Sequence, residues 1–216
     1  MLEGIEGVVL DYDFVVAKDD FLERYFGPPY RTLRQVSPDL TEFLVSFPSK
    51  SRLLRMGELL TERLLFSIPI FNGHHISLLD PALVEAYSEI GKIGIVSRRH
   101  RRRQIEPKLE EFGYRGCVSV VVGTEDVGFF GTARKEYIPR CMEMINIPPA
   151  NLLFVGDSPE DIQVARECGA KTCGVTGGYH SETSLQRVNP TYGLSRARGI
   201  FKMLIDETVY QPTYFN

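Results

Sequence analysis

No apolar run in this chain approaches the roughly 18 residues that a membrane span requires, and the N-terminus has no basic start followed by a long apolar stretch. The reading is therefore of a cytoplasmic chain without a signal peptide or membrane anchor. Cysteine is scarce. Cys117, Cys141, Cys168 and Cys173 are the four present, and none forms a C-x-x-C pair. Reduced, structural thiols are the expectation. The four histidines do not fall at ligand spacing with the cysteines, and His74 and His75 are adjacent, so zinc is not expected. Charge of one sign is lacking too: the net charge is -3, with neither a nucleic-acid footprint nor a strongly acidic tail. What remains is ordinary for a globular protein, with 43% hydrophobic and 25% charged residues in a chain of 216. That length holds one domain with a full core, or one domain with a sizeable insertion.

From about residue 80 onward the pattern is regular. "KIGIVS", "CVSVVVG", "NLLFVGD" and "KTCGVTGG" are short apolar runs, and "GIEGVVLD" near the start is a fifth. Between them, Ile105 to Phe112, Tyr137 to Met144 and Asp161 to Cys168 have helical periodicity. Short apolar strands alternating with helices predict a doubly wound, Rossmann-like parallel α/β sheet covered on both faces. Ligands gather at the carboxyl ends of the strands in such sheets, and Asp11, Ser97 and Asp157 stand at those ends. Residues 14–79 differ. "DDFLERYF", "PDLTEFLVSF" and "RMGELLTERLLFSI" are amphipathic, joined by "GPPY", "FPSKS" and "IPIFNGHH", with no strand alternating among them. The expected organisation is a core of residues 1–13 and 80–216, with a helical cap of residues 14–79 inserted.

The stretch "GVVLDYDFVVA", residues 7–17, places Asp11 and Asp13 two apart at the end of a buried strand. Read as one extended segment, it puts both carboxylates on one face, where they repel unless a cation lies between them. Three further elements line up with it: Ser97 ending a strand, Lys135 at a helix start, and "GDSPED" at a strand end. Together these resemble the haloacid dehalogenase superfamily, in its phosphoglycolate-phosphatase-like branch with a helical cap. Asp11, Asp13 and Val15 match D-x-D-x-[TV]; Gly156, Asp157 and Asp161 match G-D-x-x-x-D; "VVGTEDV" and "NLLFVGDSPEDIQVARECGA" also look like that branch. The resemblance covers the whole chain and implies a phosphatase with a small phosphorylated metabolite as substrate. It also implies that the Asp13 main-chain carbonyl binds Mg²⁺.

The physical case is separate. Attack on a phosphate dianion is a problem of charge and alignment. Asp11 suits a nucleophile that forms an aspartyl phosphate and also binds the metal. Asp157, at an adjacent strand end, suits a second Mg²⁺ ligand, because Mg²⁺ takes oxygen donors and keeps several waters. Asp13 suits a general acid that must start protonated, its pKa raised by the neighbouring carboxylate. Ser97 offers a hydroxyl to a phosphate oxygen, and Lys135 a positive charge to Asp11 and the phosphate. Even with both cations counted, the site stays negative, so losing either should be severe.

Each residue has a plainer reading. Asp11 and Asp13 could end a strand in a solvated turn. Ser97 could cap the following helix. Asp161 is either a helix cap, since Ser158, Pro159, Glu160 and Asp161 spell a helix start, or a residue of the metal shell or one that orients the lysine. Relatives in the resembled branch carry the lysine in a "KP" pair, which by spacing from Asp157 falls on Thr132; Lys135 lies a turn further on, and Arg134 is a possible substitute. Phe14 replaces the usual glycine. The run "SRRHRRRQ" surrounds His100 with Arg98, Arg99, Arg101, Arg102 and Arg103. It reads as a solvated helix face, or as a sign that something anionic offsets cations at a helix N-terminus, with Arg98 a candidate substrate contact. Lys50, Arg52, Arg55, His74 and His75 are candidate cap residues for the leaving group. Three other functions share parts of this pattern. A dehalogenase lacks the second aspartate. A phosphomutase or other phosphotransferase would return the phosphoryl group instead of releasing it. A non-catalytic phospho-ligand-binding protein would have lost an acid.

Overall fold

The computed structural model describes residues 2, 4–13, 15–19, 75–98, 100–127, 134–178 and 180–206. In chain order the elements are β1 (Gly7–Asp11), β2 (Ala17–Asp19), β3 (His75–Ser77), α1 (Pro81–Ser88), β4 (Lys92–Val96), α2 (Arg102–Glu111), β5 (Val120–Val122), α3 (Arg134–Ile145), β6 (Leu152–Gly156), α4 (Pro159–Glu167), β7 (Lys171–Val175), α5 (Glu182–Arg187), β8 (Tyr192–Leu194) and α6 (Ile200–Ile205). Six strands form one sheet in the order β5-β4-β1-β6-β7-β8, each neighbouring pair parallel. β2 and β3 pair separately.

Alternation along each strand sends side chains to two cores. Val8, Leu10, Ile93, Ile95, Leu153 and Val155 pack on one face with α1, α2 and α6. Val9, Val96, Leu152 and Phe154 pack on the other with α3, α4 and α5. Both faces are covered, which is why the strands read as continuous apolar runs and not as alternating ones. Truncating the fully buried Phe154 to alanine would cost about 3–5 kcal/mol. α3 sits so close to β4 that a Cβ on Gly94 would lie 2.7 Å from the Cys141 Sγ. All four cysteines are free thiols. Asp80 caps α1 by accepting the Ala82 N–H at 3.1 Å, and Ser158 and Pro159 begin α4 as the sequence predicts.

The sequence did not foresee α1, α5, α6 or β8, nor the short strands β2 and β3 at the two ends of the stretch read as purely helical. The chain divides into two compact units, Met1–Ala17 with Ser77–Asn216, and Lys18–Ile76. Val15, Val16, Ala17 and Leu79 are buried in the core of the first unit, although they lie within the stretch read as insertion. The three helices expected in the cap fall on residues outside the described ones, as do Phe14, Lys50, Arg52, Arg55, His74, Arg99 and Thr132. Among the described residues, no helix is long and apolar enough to cross a membrane.

Candidate active site

Strand register brings the acids together. Asp11 pairs with Val96, so Ser97 is the next residue on the neighbouring strand. On the other side Leu10 pairs with Val155, the last matched pair of β1 and β6. Asp11 is one residue past that pair and Asp157 two. The Tyr12 N–H donates to the Val96 carbonyl at 2.8 Å, and the Ser97 N–H to the Val122 carbonyl at 2.9 Å. Three strand ends are thereby held around Asp11.

Asp11 and Asp13 do not share one extended segment, contrary to the sequence reading. Strand pairing stops at Asp11 and the chain coils. The Val16 N–H donates to the Asp11 carbonyl at 3.3 Å, and the Ala17 N–H to the Tyr12 carbonyl at 2.9 Å. Tyr12 is buried under this turn, and Asp13 follows it as an isolated bridge to Ala17. The turn takes Asp13 off the line that a straight continuation of β1 would follow.

Seven polar or charged residues are buried among the described ones, and five of them (Ser97, His100, Asp157, Ser158 and Asp161) follow β4 or β6. Buried polar groups are costly unless partnered, so their concentration at one strand edge marks it as a site. Asp157 is 5% exposed and rests against Gly178. A Cβ on Gly178 would fall 2.5 Å from the Asp157 Cβ, and closer still to the carboxylate. Asp161 is 8% exposed in the first turn of α4, which is deep for a residue that only caps a helix.

The oxygen donors of Asp11 and Asp157 suit Mg²⁺, and the space kept clear by Gly178 gives the Asp157 carboxylate room to hold one position. Among the described residues, no group of three or more His, Cys, Asp or Glu is placed to hold a metal ion. Asp11, Asp13, Asp157 and Asp161 therefore do not form one carboxylate cage. Two carboxylates with a main-chain carbonyl need no third acidic side chain.

Ser97 does not cap α2. Arg101 is the N-cap residue there, and its N–H donates to the Gln104 Oε1 at 2.9 Å. The Ser97 Oγ instead accepts the His100 N–H at 3.0 Å, closing the turn before the helix. In the arginine run, Arg98 is half-buried while Arg101 and Arg103 are exposed. Arg102 pairs with Asp126, whose other carboxylate oxygen accepts the Gly123 N–H at 2.8 Å. The chain thus supplies its own counter-charge to the start of α2. Lys135 lies in the first turn of α3, as expected; its side chain and that of Arg134 are outside the described residues.

Two residues at the site went unnoticed in the sequence. Gly178 was seen only as the end of an apolar run. His100 was named only as the centre of an arginine run; the turn there is closed by its backbone N–H, which any residue but proline would supply, so the sequence does not single it out.

Residues 73–175 match the haloacid dehalogenase-like hydrolase family. That match spans just under half of the chain. Phosphoglycolate phosphatase from Escherichia coli strain K12 is 33% identical over 90 residues, covering 40% of this chain and 34% of that protein. The N-acetylmuramic acid 6-phosphate phosphatase of Pseudomonas aeruginosa is 30% identical over 99 residues, covering 46% of this chain and 43% of that protein. The chain therefore spans well under half the length of these curated relatives. Among solved structures, a hydrolase from Pseudomonas syringae superposes with a TM-score of 0.66 at 14% identity, covering 95% of this chain and 100% of the other. A haloacid dehalogenase-like family hydrolase from Streptococcus pneumoniae gives 0.61 at 15%, covering 94% and 100%. At such identities the likeness shows the fold, and it is the doubly wound core that the sequence predicts.

Proposed function

We propose that this chain is a Mg²⁺-dependent phosphatase that hydrolyses a small phosphate monoester through an aspartyl phosphate. The observation that carries the reading is the register: Asp11 and Asp157 stand one and two residues beyond the last pair of adjacent central strands, with Ser97 beside Asp11 on the other flank.

Asp11 and Asp157, with the Asp13 main-chain carbonyl, would hold the metal, which supplies positive charge to the phosphoryl oxygens. An Asp11 oxygen attacks phosphorus as the bond to the ester oxygen breaks, and Asp13 gives its proton to that departing oxygen. Asp13 then takes a proton from the water that opens the acyl phosphate, which restores both acids. Ser97 donates to a phosphoryl oxygen. Lys135 supplies the cation that offsets Asp11, with Arg134 as its alternative. Buried in the first turn of α4, Asp161 acts on how that cation is placed and not as a third carboxylate ligand.

For the substrate we favour a phosphorylated carboxylic acid. Phosphoglycolate and N-acetylmuramic acid 6-phosphate, named for the two relatives, each combine a carboxylate with a phosphate ester. Arg98, half-buried next to Ser97, is placed to meet such a second charge.

The test is phosphate release from a panel of phosphorylated metabolites, with and without Mg²⁺, by the parent and by Asp11→Asn. Release that needs Mg²⁺ and disappears in Asp11→Asn is expected. Equal release by both proteins would end the aspartyl-phosphate reading, and return of the phosphoryl group to substrate without release would make the chain a mutase.

A further inference from the structure

We infer that His100 is a positioning residue for Asp13, fixing which carboxyl oxygen carries the catalytic proton; the inference rests on the phosphatase reading above. The His100 Nε2 lies 3.4 Å from the Asp13 Oδ1. The imidazole is 2% exposed and meets the Tyr12 ring edge-on, with centroids 5.3 Å apart at 70°. Its main chain is held on both sides: the N–H donates to the Ser97 Oγ at 3.0 Å, and the carbonyl accepts the Thr124 N–H at 3.0 Å.

A ring this deeply buried, with its backbone pinned and one edge packed on an aromatic, has little freedom to turn. The Asp13 side chain, 22% exposed, has more, because the terminal torsion of an aspartate is soft and roughly two-fold. A proton on the wrong oxygen is useless to the leaving group. A neutral His100 carrying its proton on Nε2 would occupy Oδ1, and the catalytic proton would then sit on Oδ2. When the Asp11–phosphorus bond forms and the ester bond breaks, the electron pair left on the ester oxygen takes that proton from Oδ2, and His100 keeps its own throughout. Ser97 belongs to the same unit, since the hydroxyl offered to the phosphate also closes the turn that carries the imidazole. One short turn therefore ties the phosphate contact to the aim of the general acid.

The experiment compares the parent, His100→Phe, His100→Gln and His100→Asn on an alkyl phosphate and on nitrophenyl phosphate, with thermal unfolding of each. The phenyl ring keeps the Tyr12 contact and removes the N–H; Gln carries an N–H near the Nε2 position, and Asn does not reach it. His100→Phe is expected to lose about 10- to 100-fold in kcat on the alkyl ester, the scale of a misplaced catalytic group. It should lose far less on nitrophenyl phosphate, with KM nearly unchanged on both and with Gln restoring much of the loss. In an Asp13→Asn background His100→Phe should cost nothing more, because the residue it aims is already disabled. Equal losses on both esters, a full further loss in the Asp13→Asn background, or parental kinetics would overturn the inference. Should His100→Phe fail to fold, Gln against Asn decides in the same way. If the parent itself releases no more phosphate than Asp11→Asn, the phosphatase reading has failed, which is a distinct result.

Discussion

Gly178 and Asp157 are packed so closely that no side chain fits between them. The loop after β7 thereby sets where the carboxylate at the end of β6 can lie.

Gly178→Ala should accordingly act on the site and not on the fold. The added methyl must push the Asp157 carboxylate aside. We expect a loss of 100-fold or so in kcat/KM, the order for a displaced charge contact, and a higher Mg²⁺ requirement, while the unfolding temperature changes little. Parental Mg²⁺ dependence in a folded Gly178→Ala protein would show that Asp157 is free to move without consequence.

The cation proposed to offset Asp11 can be assigned by substitution. Lys135→Ala alone should cost about 100-fold or more, as for removal of one preorganised charge. Near-normal turnover in Lys135→Ala together with collapse in Arg134→Ala would shift the role by one residue, and the double variant would show whether the two back each other up.

Within the arginine run, position decides effect. Arg98→Ala should raise KM for a phosphorylated acid more than for a neutral analogue, with kcat less changed, since a remote charge holds ground and transition states alike. Added salt should shrink that preference. Arg101→Ala and Arg103→Ala, both exposed, should match the parent. Arg102→Ala loses its pairing with Asp126. Its own side chain is 40% exposed, so the cost should be at most about 1 kcal/mol of stability, read by denaturant unfolding.

Alkaline pH should weaken the fold. Burial pushes the Cys141 thiol from 9.0 up to about 12, and burial also raises Cys173 and Tyr87. With the folded value above the unfolded one, the contribution is intact below about pH 9. It fades as pH rises toward 12. Thermal unfolding followed from about pH 8 to 10.5 should show the decline, and Cys141→Ala should make it shallower while Cys173 and Tyr87 still contribute. A pH-independent midpoint across that range would contradict the buried-thiol picture.

Much of the site was legible because sheet chemistry is local. An apolar run that stops at an acid or a serine announces a strand end, and Asp11, Ser97 and Asp157 were readable for that reason. The coil after Asp11 was not, because its hydrogen bonds from Val16 and Ala17 leave no periodic trace, and "DFVVA" has the composition of a strand. β8 is three residues long and α5 six, too short for periodicity to register. α6, "IFKMLI", is buried at Ile200, Phe201, Met203 and Leu204, and its near-continuous apolarity hides the helical repeat. The Gly178 contact depends on the approach of two loops far apart in sequence, which composition does not encode.

The core's departure and return points are neighbours. The Leu78 N–H donates to the Val16 carbonyl at 2.9 Å, on either side of the Lys18–Ile76 unit. Seen from the core, that whole excursion is a closed loop, and the entropy of closing a loop rises only with the logarithm of its length. Residues between the two points can be lost, gained or exchanged at small cost to the sheet that carries the acids. Change in the excursion is thereby thermodynamically decoupled from change at Asp11 and Asp157, so the two stretches are free to vary at different rates.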